Sequence, residues 1–449
     1  MTDEIEVAVD LGDRTMVAGT ARFDRRRNQT TTSFDYDSAY LADPASYPID
    51  PALSFDTRGG VVSGLPGAFA DCAPDRWGQM LISKRIRASE TGTARSISEL
   101  DYLLGVSDTT RQGALRFRRA GSTMFENAEA DVPQHIKLPE LLHASDQVAR
   151  DGSEDLTAIK LLLNAGTGSL GGARPKASII GQDELLYIAK FPRHTDEWDV
   201  MAWEKTALDL ADRAGIAVPR TILVKVSGRS VLLLERFDRR NGLRVGYMSA
   251  MTLIEGSDGG GYDYLDVAAG LVDVSGSADE DLSQMWRRMA FSVAIHNTDD
   301  HMRNHGLLRE PKGWRLSPAF DVNPNPDDAE ERATSIAGET SRQGEVQALM
   351  LTAAEFGLSD EEARRTLSDI EQATASWRDV AAGNGIPSGE INRFSGAFDT
   401  LRDQFKDGTT PPQTRRSTPP GADRGISSTR SNKGSFKSRQ QAEADVDLR

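Results

Sequence analysis

Residues 297–304 read NTDDHMRN, and the interpretation of this octapeptide governs the rest of the chain. Just before it, QMWRRMAFSVAIHN spaces Trp286, Met289, Ala290, Val293 and Ala294 as i, i+3, i+4, i+7, i+8, which predicts one buried face of a helix. Just after it, GLLREPKGWRLSPAFD reads as a short hairpin whose second strand, RLSPAF, runs out at Asp321. NTDDHMRN is therefore expected to be a loop between helix and hairpin. It carries Asp299 and Asn304 five positions apart, with a further carboxylate, Asp321, close behind.

That spacing has a chemical use. One carboxylate can accept the proton of a hydroxyl group while an amide carbonyl further along the same loop reaches Mg²⁺. Protein kinases place their catalytic Asp and a metal-binding Asn at this separation, and a second Asp after a hairpin as the main Mg²⁺ ligand. Mg²⁺ asks for few protein ligands, all hard oxygens, and Asn304 with Asp321 fits that description. The plain alternative is that Asp299 caps a helix and Asp321 belongs to the turn FDVNPNP. His296, His301 and His305 also cluster here. A metal site built on them competes with the simpler reading of histidines that hold the loop by hydrogen bonds.

Working upstream, LLYIAKFP alternates as a strand with Leu186, Ile188 and Lys190 on one side. A lysine beside two aliphatics is at an edge or has a partner. The next segment offers one. Val200, Trp203, Glu204, Ala207, Leu208 and Ala211 form a helical stripe, and Glu204 within it is costly unless paired. A strand Lys joined to a helix Glu is how kinases orient nucleotide phosphates; a solvated Glu204 at the stripe's margin is the alternative. Before the strand comes GTGSLGGARPKAS, whose glycines would let backbone N–H groups approach phosphates. It is not a Walker A loop, because Pro175 precedes Lys176, and no long helix follows as a dinucleotide fold requires. Further on, TILVKV and SVLLLERFDRR read as two strands around Gly228. The second ends at Glu235, Arg236 and Phe237, where a crossover to the helical half could present backbone groups to adenine. Gly loop, strand Lys, helix Glu, crossover, Asp…Asn loop and strand-end Asp follow one another in kinase order.

Composition sets the frame. The chain has 449 residues, more than one small fold uses, with 53 Lys+Arg against 68 Asp+Glu for a net charge of −15. Hydrophobic residues at 38% suffice for a sizeable core although the balance is polar. No stretch approaches the roughly 20 apolar residues of a membrane span, and the start MTDEIEVAVD is acidic where a secretory signal is basic. Cys72 stands alone, which excludes an internal disulfide and a Cys-rich zinc module. These features predict a cytoplasmic protein, no membrane partner, and no direct sequence-specific binding of nucleic acid, since an acidic chain repels phosphates. Residues 126–155 are polar and read as a connection. From Lys406 to Arg449, Ser, Thr, Pro, Gly and charges dominate, nine basic against five acidic, and a disordered basic tail is expected.

With those residues in hand, the chain resembles the HipA family, the serine/threonine kinase toxins of bacterial toxin–antitoxin modules. The segments GSLGGARPKASI, AKFP, LLERFDR, NTDDHMRNHGLL and SPAFDV carry the likeness, joined by YLADP, GAFADCAPDRWGQMLI and GALRF towards the N-terminus. It covers most of residues 30–400. The resemblance implies an α+β, two-lobed, protein-kinase-like fold with a β-rich N-terminal half and a helical C-terminal half. The corresponding divisions are an N-terminal subdomain at 1–125, a nucleotide-binding part at 126–236, a helical catalytic part at 237–405, and the tail.

The resemblance also implies roles. Asp299 would be the base towards a protein hydroxyl, and Asn304 and Asp321 would hold Mg²⁺. Lys190, with Glu204 as its partner, would contact the phosphates of ATP. Ser169, Leu170, Gly171, Gly172, Ala173 and Lys176 would form the covering loop, and Glu235, Arg236 and Phe237 would meet adenine by backbone contacts. Ser169 matches a position at which the family autophosphorylates, and a dianion there would compete with ATP for the loop. A helix-turn-helix antitoxin, operator DNA held through it, and an aminoacyl-tRNA synthetase or similar translation-related target would be the partners. Two departures stand out: Arg303 where the family often has Lys, and the tail. Two rivals to a protein kinase are a kinase of the same fold acting on a small molecule or lipid headgroup, and a catalytically idle module that only grips an antitoxin.

Overall fold

The chain opens as an antiparallel meander. Thr2–Leu11 and Arg14–Arg26 are joined by a two-residue turn in which Gly12 takes a φ of 68°, the left-handed region that glycine enters without penalty. The sheet order is Gly59–Ser63, Gln29–Tyr36, Arg14–Arg26, Thr2–Leu11, Leu115–Arg119. Val7, Val9, Ala21, Phe23 and Phe34 point from it into the core. The computed structural model describes residues 2–26, 29–89, 96–128, 132–150, 155–166 and 174–409. The expected covering residues Ser169 to Ala173, and 410–449 of the expected tail, lie outside these. Among the described residues no helix is long and apolar enough to cross a membrane.

A second sheet has the order Lys176–Ile180, Leu186–Lys190, Arg229–Glu235, Thr221–Val226, all antiparallel. Its last two strands are a hairpin turned at Ser227 and Gly228, with φ of 51° and 79°, the paired positive values of a tight hairpin turn. Along Leu186–Lys190, Tyr187 and Ala189 face the core, while Leu186 and Ile188 are only half-buried on the side that carries Lys190. The lysine thus lies on the cleft side of the sheet. The core behind it gathers Ile179, Tyr187 and Val231 with Leu141, Leu142 and Val148, and with Trp77, Leu81 and Ile82 from the helix Arg76–Ser89. A helix from the first hundred residues therefore shares a core with the second sheet.

The stretch expected to connect, 126–155, contains the helix Leu138–Ala149 with Pro in its first turn, and its leucines enter that same core. After the second sheet the chain is mainly helical. Val200–Arg213 buries Val200, Trp203, Glu204, Ala207, Leu208 and Ala211, and Ala278–Ala294 buries Trp286, Met289, Ala290, Val293 and Ala294. The stripe residues are all buried, but burial extends beyond a single face: Met201, Ala202, Thr206 and Leu210 in the first helix and every residue from Arg288 to Ala294 in the second are buried as well. A three-stranded sheet, Tyr247–Ser249, Gly306–Glu310 and Gly313–Leu316, is set among these helices. Its last strand stops at Leu316, so Asp321 follows an extended connection rather than ending a strand. The final helix, Arg402–Thr409, takes in the first residues of the expected tail. The fold is mixed α+β, β-rich first and helical after.

Candidate active site

The site is built where the second sheet meets the loop beyond the hairpin. Lys190 ends its strand and directs its Nζ to Glu204 Oε1 at 2.6 Å and to Asp321 Oδ1 at 2.9 Å. Glu204 is available because Val200–Arg213 is capped by Asp199, whose side chain accepts from Ala202 N–H, and because the apolar stripe turns that helix onto the sheet. The Glu204 side chain is 1% exposed, so its charge is tolerable only against a cation. Burial alone would lower the pKa of Lys190, but Asp321 and Glu204 outweigh it and hold the ammonium charged. Burial alone would raise Asp321, but Lys190 beside it brings its carboxyl down to about 2. Asp321 also accepts a hydrogen bond from Asn323 and adopts a φ of 56°, a left-handed conformation that Asp enters more readily than most residues.

The helix Ala278–Ala294 delivers the loop. His296 N–H donates to Val293 O, Asn297 N–H donates to Ser292 O, and His296 has a φ of 52°, a left-handed stop that turns the chain sharply. The two neighbouring aspartates then part company. Asp300 is buried, accepts from the Tyr264 hydroxyl and lies 3.0 Å from His305 Nε2, while its carbonyl accepts from Thr334 Oγ1. Burial opposes its charge, yet His305 and Tyr264 hold it well below the usual carboxylate range. Asp299 is exposed at the rim of the cleft. Partial desolvation raises its pKa, His301 offsets some of this, and Asp321 and Asp300 push it further up. Asp299 and Asp321 are therefore near enough to repel. Asn304 Nδ2 donates to Asp299 O at 2.8 Å, which fixes the amide and turns its oxygen to other use.

The histidines do not gather into a metal site. His296 Nε2 lies 2.9 Å from Asp327 O, His305 faces Asp300, and no group of three His, Cys, Asp or Glu among the described residues could hold a metal. A pair of hard oxygen donors, the Asn304 amide oxygen and the Asp321 carboxylate, suits Mg²⁺, which completes its shell with water and phosphate.

Two backbone amides of the crossover are engaged within the fold. Glu235 N–H donates to Arg220 O and Arg236 N–H to Leu186 O, so neither amide is left for a base. Arg236 is buried and its guanidinium bonds Asp238 and Thr110 O. Any adenine contact from this stretch falls to carbonyl oxygens and to Phe237, whose ring lies 5.6 Å from that of Phe320, next to Asp321. Lys176 is buried and bonds Asp75 Oδ2 at 2.5 Å, a partner the sequence did not suggest. Other contributions from the N-terminal part were equally unread. Asp238 accepts from Gly113 N–H at 2.8 Å, and Arg303 approaches Asp71 at 3.5 Å and Asp258 at 2.9 Å. Beside the loop 297–304, Asn325 donates to Thr298 Oγ1 at 2.8 Å and helps line a cavity of about 610 Å³ with Arg174, Trp198, Asp327, Glu330 and Arg393.

A strand lysine, a helix glutamate and a loop aspartate joined across a cleft define a protein-kinase-like arrangement. Residues 168–377 match the family model described as the HipA-like C-terminal domain. The fold is similar to the HipA chain of a structure described as the Shewanella oneidensis MR-1 toxin–antitoxin system HipA, HipB and its operator DNA complex. The TM-score is 0.65 at 17% identity, over 90% of this chain and 97% of that one. A second structure, the Helicobacter pylori proinflammatory kinase CtkA, matches with a TM-score of 0.39 at 17% identity over 53% of this chain and 90% of that one. No curated protein matches. The fold is thus the kinase-like fold of HipA.

Proposed function

We propose that the protein is an ATP- and Mg²⁺-dependent serine/threonine protein kinase, acting in the cytoplasm as the toxin of a HipA-type module. The observation that carries this reading is Lys190 bonded at once to Glu204 and Asp321, with Asp299 at the rim of the same cleft. Lys190 contacts the phosphates of ATP. Ser169, Leu170, Gly171, Gly172 and Ala173 contribute to binding those phosphates. Asn304 and Asp321 hold Mg²⁺, which when bound neutralises charge on the phosphates. Asp299 orients the acceptor hydroxyl and takes its proton as the oxygen bonds to the γ-phosphorus and the bond to the bridging oxygen breaks, releasing ADP. Positioning and electrostatics supply most of the acceleration.

Autophosphorylation at Ser169 belongs to this reading, as does a translation-related target such as an aminoacyl-tRNA synthetase. The Shewanella relative was solved with HipB and operator DNA, which supports a helix-turn-helix antitoxin as partner here, with operator DNA contacted through it. The test is transfer of labelled phosphate from ATP by wild type and by Asp299→Asn, followed by mapping of phosphopeptides. Label on serine or threonine in wild type alone is expected; equal transfer by both proteins would refute the assignment. Label only on a small molecule or lipid would move the reading to another acceptor.

A further inference from the structure

Lys176 and Lys190 are direct partners in the antiparallel register, so their side chains stand next to each other on one face of the sheet. Two ammonium groups at that spacing repel, and each is held by carboxylates from elsewhere. Lys190 has Glu204 and Asp321; Lys176 has Asp75. Asp75 comes from far up the chain, at the start of the helix Arg76–Ser89. Its Oδ1 accepts from Gly78 N–H at 2.8 Å while its Oδ2 meets Lys176. Both side chains are buried, at 6% and 1% exposure, so neither charge is stabilised by water.

Lys190, the register partner of Lys176, is itself bonded to Asp321 at 2.9 Å, so the Lys176–Asp75 pair stands beside the lysine that meets this carboxylate. One oxygen of Asp321 already accepts from Lys190 and Asn323. A further ammonium drawn onto the same carboxylate would compete directly with a metal ion for it. We propose that Asp75 is a positioning residue for the cation site: by holding Lys176 it keeps that ammonium off Asp321 and leaves the Asp321 carboxylate open to Mg²⁺. The inference rests on the kinase reading above, and it makes the N-terminal part a working component of the nucleotide cleft.

The experiment measures Mn²⁺ binding by electron paramagnetic resonance, with the full chain and the non-hydrolysable analogue AMP-PNP. Asp75→Asn weakens Mn²⁺ binding about tenfold, the scale for losing a group that orients a metal ligand, and Asp75→Glu stays within about twofold of wild type. In the double variant Asp75→Asn with Lys176→Met the competing ammonium is gone, and binding returns to within about threefold of wild type. Thermal unfolding of each variant checks that it folds, so that a loss of Mn²⁺ binding is not a loss of structure. Wild-type affinity in Asp75→Asn, or equal weakening in the single and double variants, would overturn the proposal. Asp321→Asn separates the two levels. If it loses Mn²⁺ while Asp75→Asn does not, the inference alone fails; if it binds as wild type does, the kinase reading fails with it.

Discussion

Lys190 and Asp321 lie 131 residues apart in the chain and meet at 2.9 Å. The contact ties the cleft side of the second sheet to the loop beyond the hairpin. Asp321 holds a left-handed backbone there, a conformation that costs on the order of 1 kcal/mol and persists because surrounding bonds over-determine it. The carboxylate that would meet Mg²⁺ is thus set in place by the lysine that would meet the phosphates.

Asp299 and Asp300 are adjacent and should behave as opposites. Asp299→Asn should lower phosphate transfer by roughly 10²–10⁴ with stability within about 0.5 kcal/mol of wild type, as for an exposed residue acting in proton transfer. Asp300→Asn removes a buried charge from between Tyr264 and His305 and should cost about 1–3 kcal/mol in urea unfolding. A variant at 300 as stable as wild type would contradict this division.

Lys190→Met should abolish transfer and also destabilise the fold by about 3–5 kcal/mol, because Glu204 is left buried without a counter-charge. Adding Glu204→Met should return part of that loss while activity stays absent. If the double variant is less stable than the single, Glu204 is not the residue left stranded.

The rate of transfer should fall on the acid side as Asp299 becomes protonated. Its pKa is raised, first by desolvation, so the acid limb of kcat/KM should lie above the ordinary aspartate value of about 4. His301 lowers that pKa, so His301→Asn should move the limb to higher pH. A limb that stays put or moves to lower pH would exclude this coupling.

Stability should follow pH through Asp321. Its folded pKa of about 2 lies below the unfolded value near 4, so its contribution is complete above about pH 4 and is lost as pH falls through about 2. Asp321→Asn should flatten this arm of the stability profile. An unchanged acid slope would mean that Lys190 does not hold the carboxylate in solution.

Much of the site was legible because local pattern encodes it. Glu204 within an apolar helical stripe and Lys190 beside two aliphatics each demanded a partner, and the helix before NTDDHMRN declared its buried face through Trp286 and Met289. What escaped has long-range causes. Asp75 and Lys176 are 101 residues apart; an Asp ahead of a helix signals a cap, but nothing in PDRW signals that the same carboxylate also reaches another sheet. Asp299 could be singled out by its five-residue separation from Asn304, but the burial of its neighbour Asp300 against Tyr264 and His305 had no local signal. In the helix Leu138–Ala149, charged residues hide a short leucine face, so its sequence resembles a polar connection. That the Glu235 and Arg236 amides are engaged by Arg220 and Leu186 carbonyls likewise depends on a pairing the local sequence does not show.

The central claim is that this cleft holds a magnesium–triphosphate. The most direct measurement is thermal unfolding of the full chain with AMP-PNP, with and without Mg²⁺, for wild type and Asp321→Asn. Ligand at about 100 times its Kd stabilises by about 2.7 kcal/mol, so the wild-type Tm should rise with both ligands present, and Asp321→Asn should lose that rise. An unchanged wild-type Tm at millimolar AMP-PNP and Mg²⁺, or an equal rise in Asp321→Asn, would contradict the account.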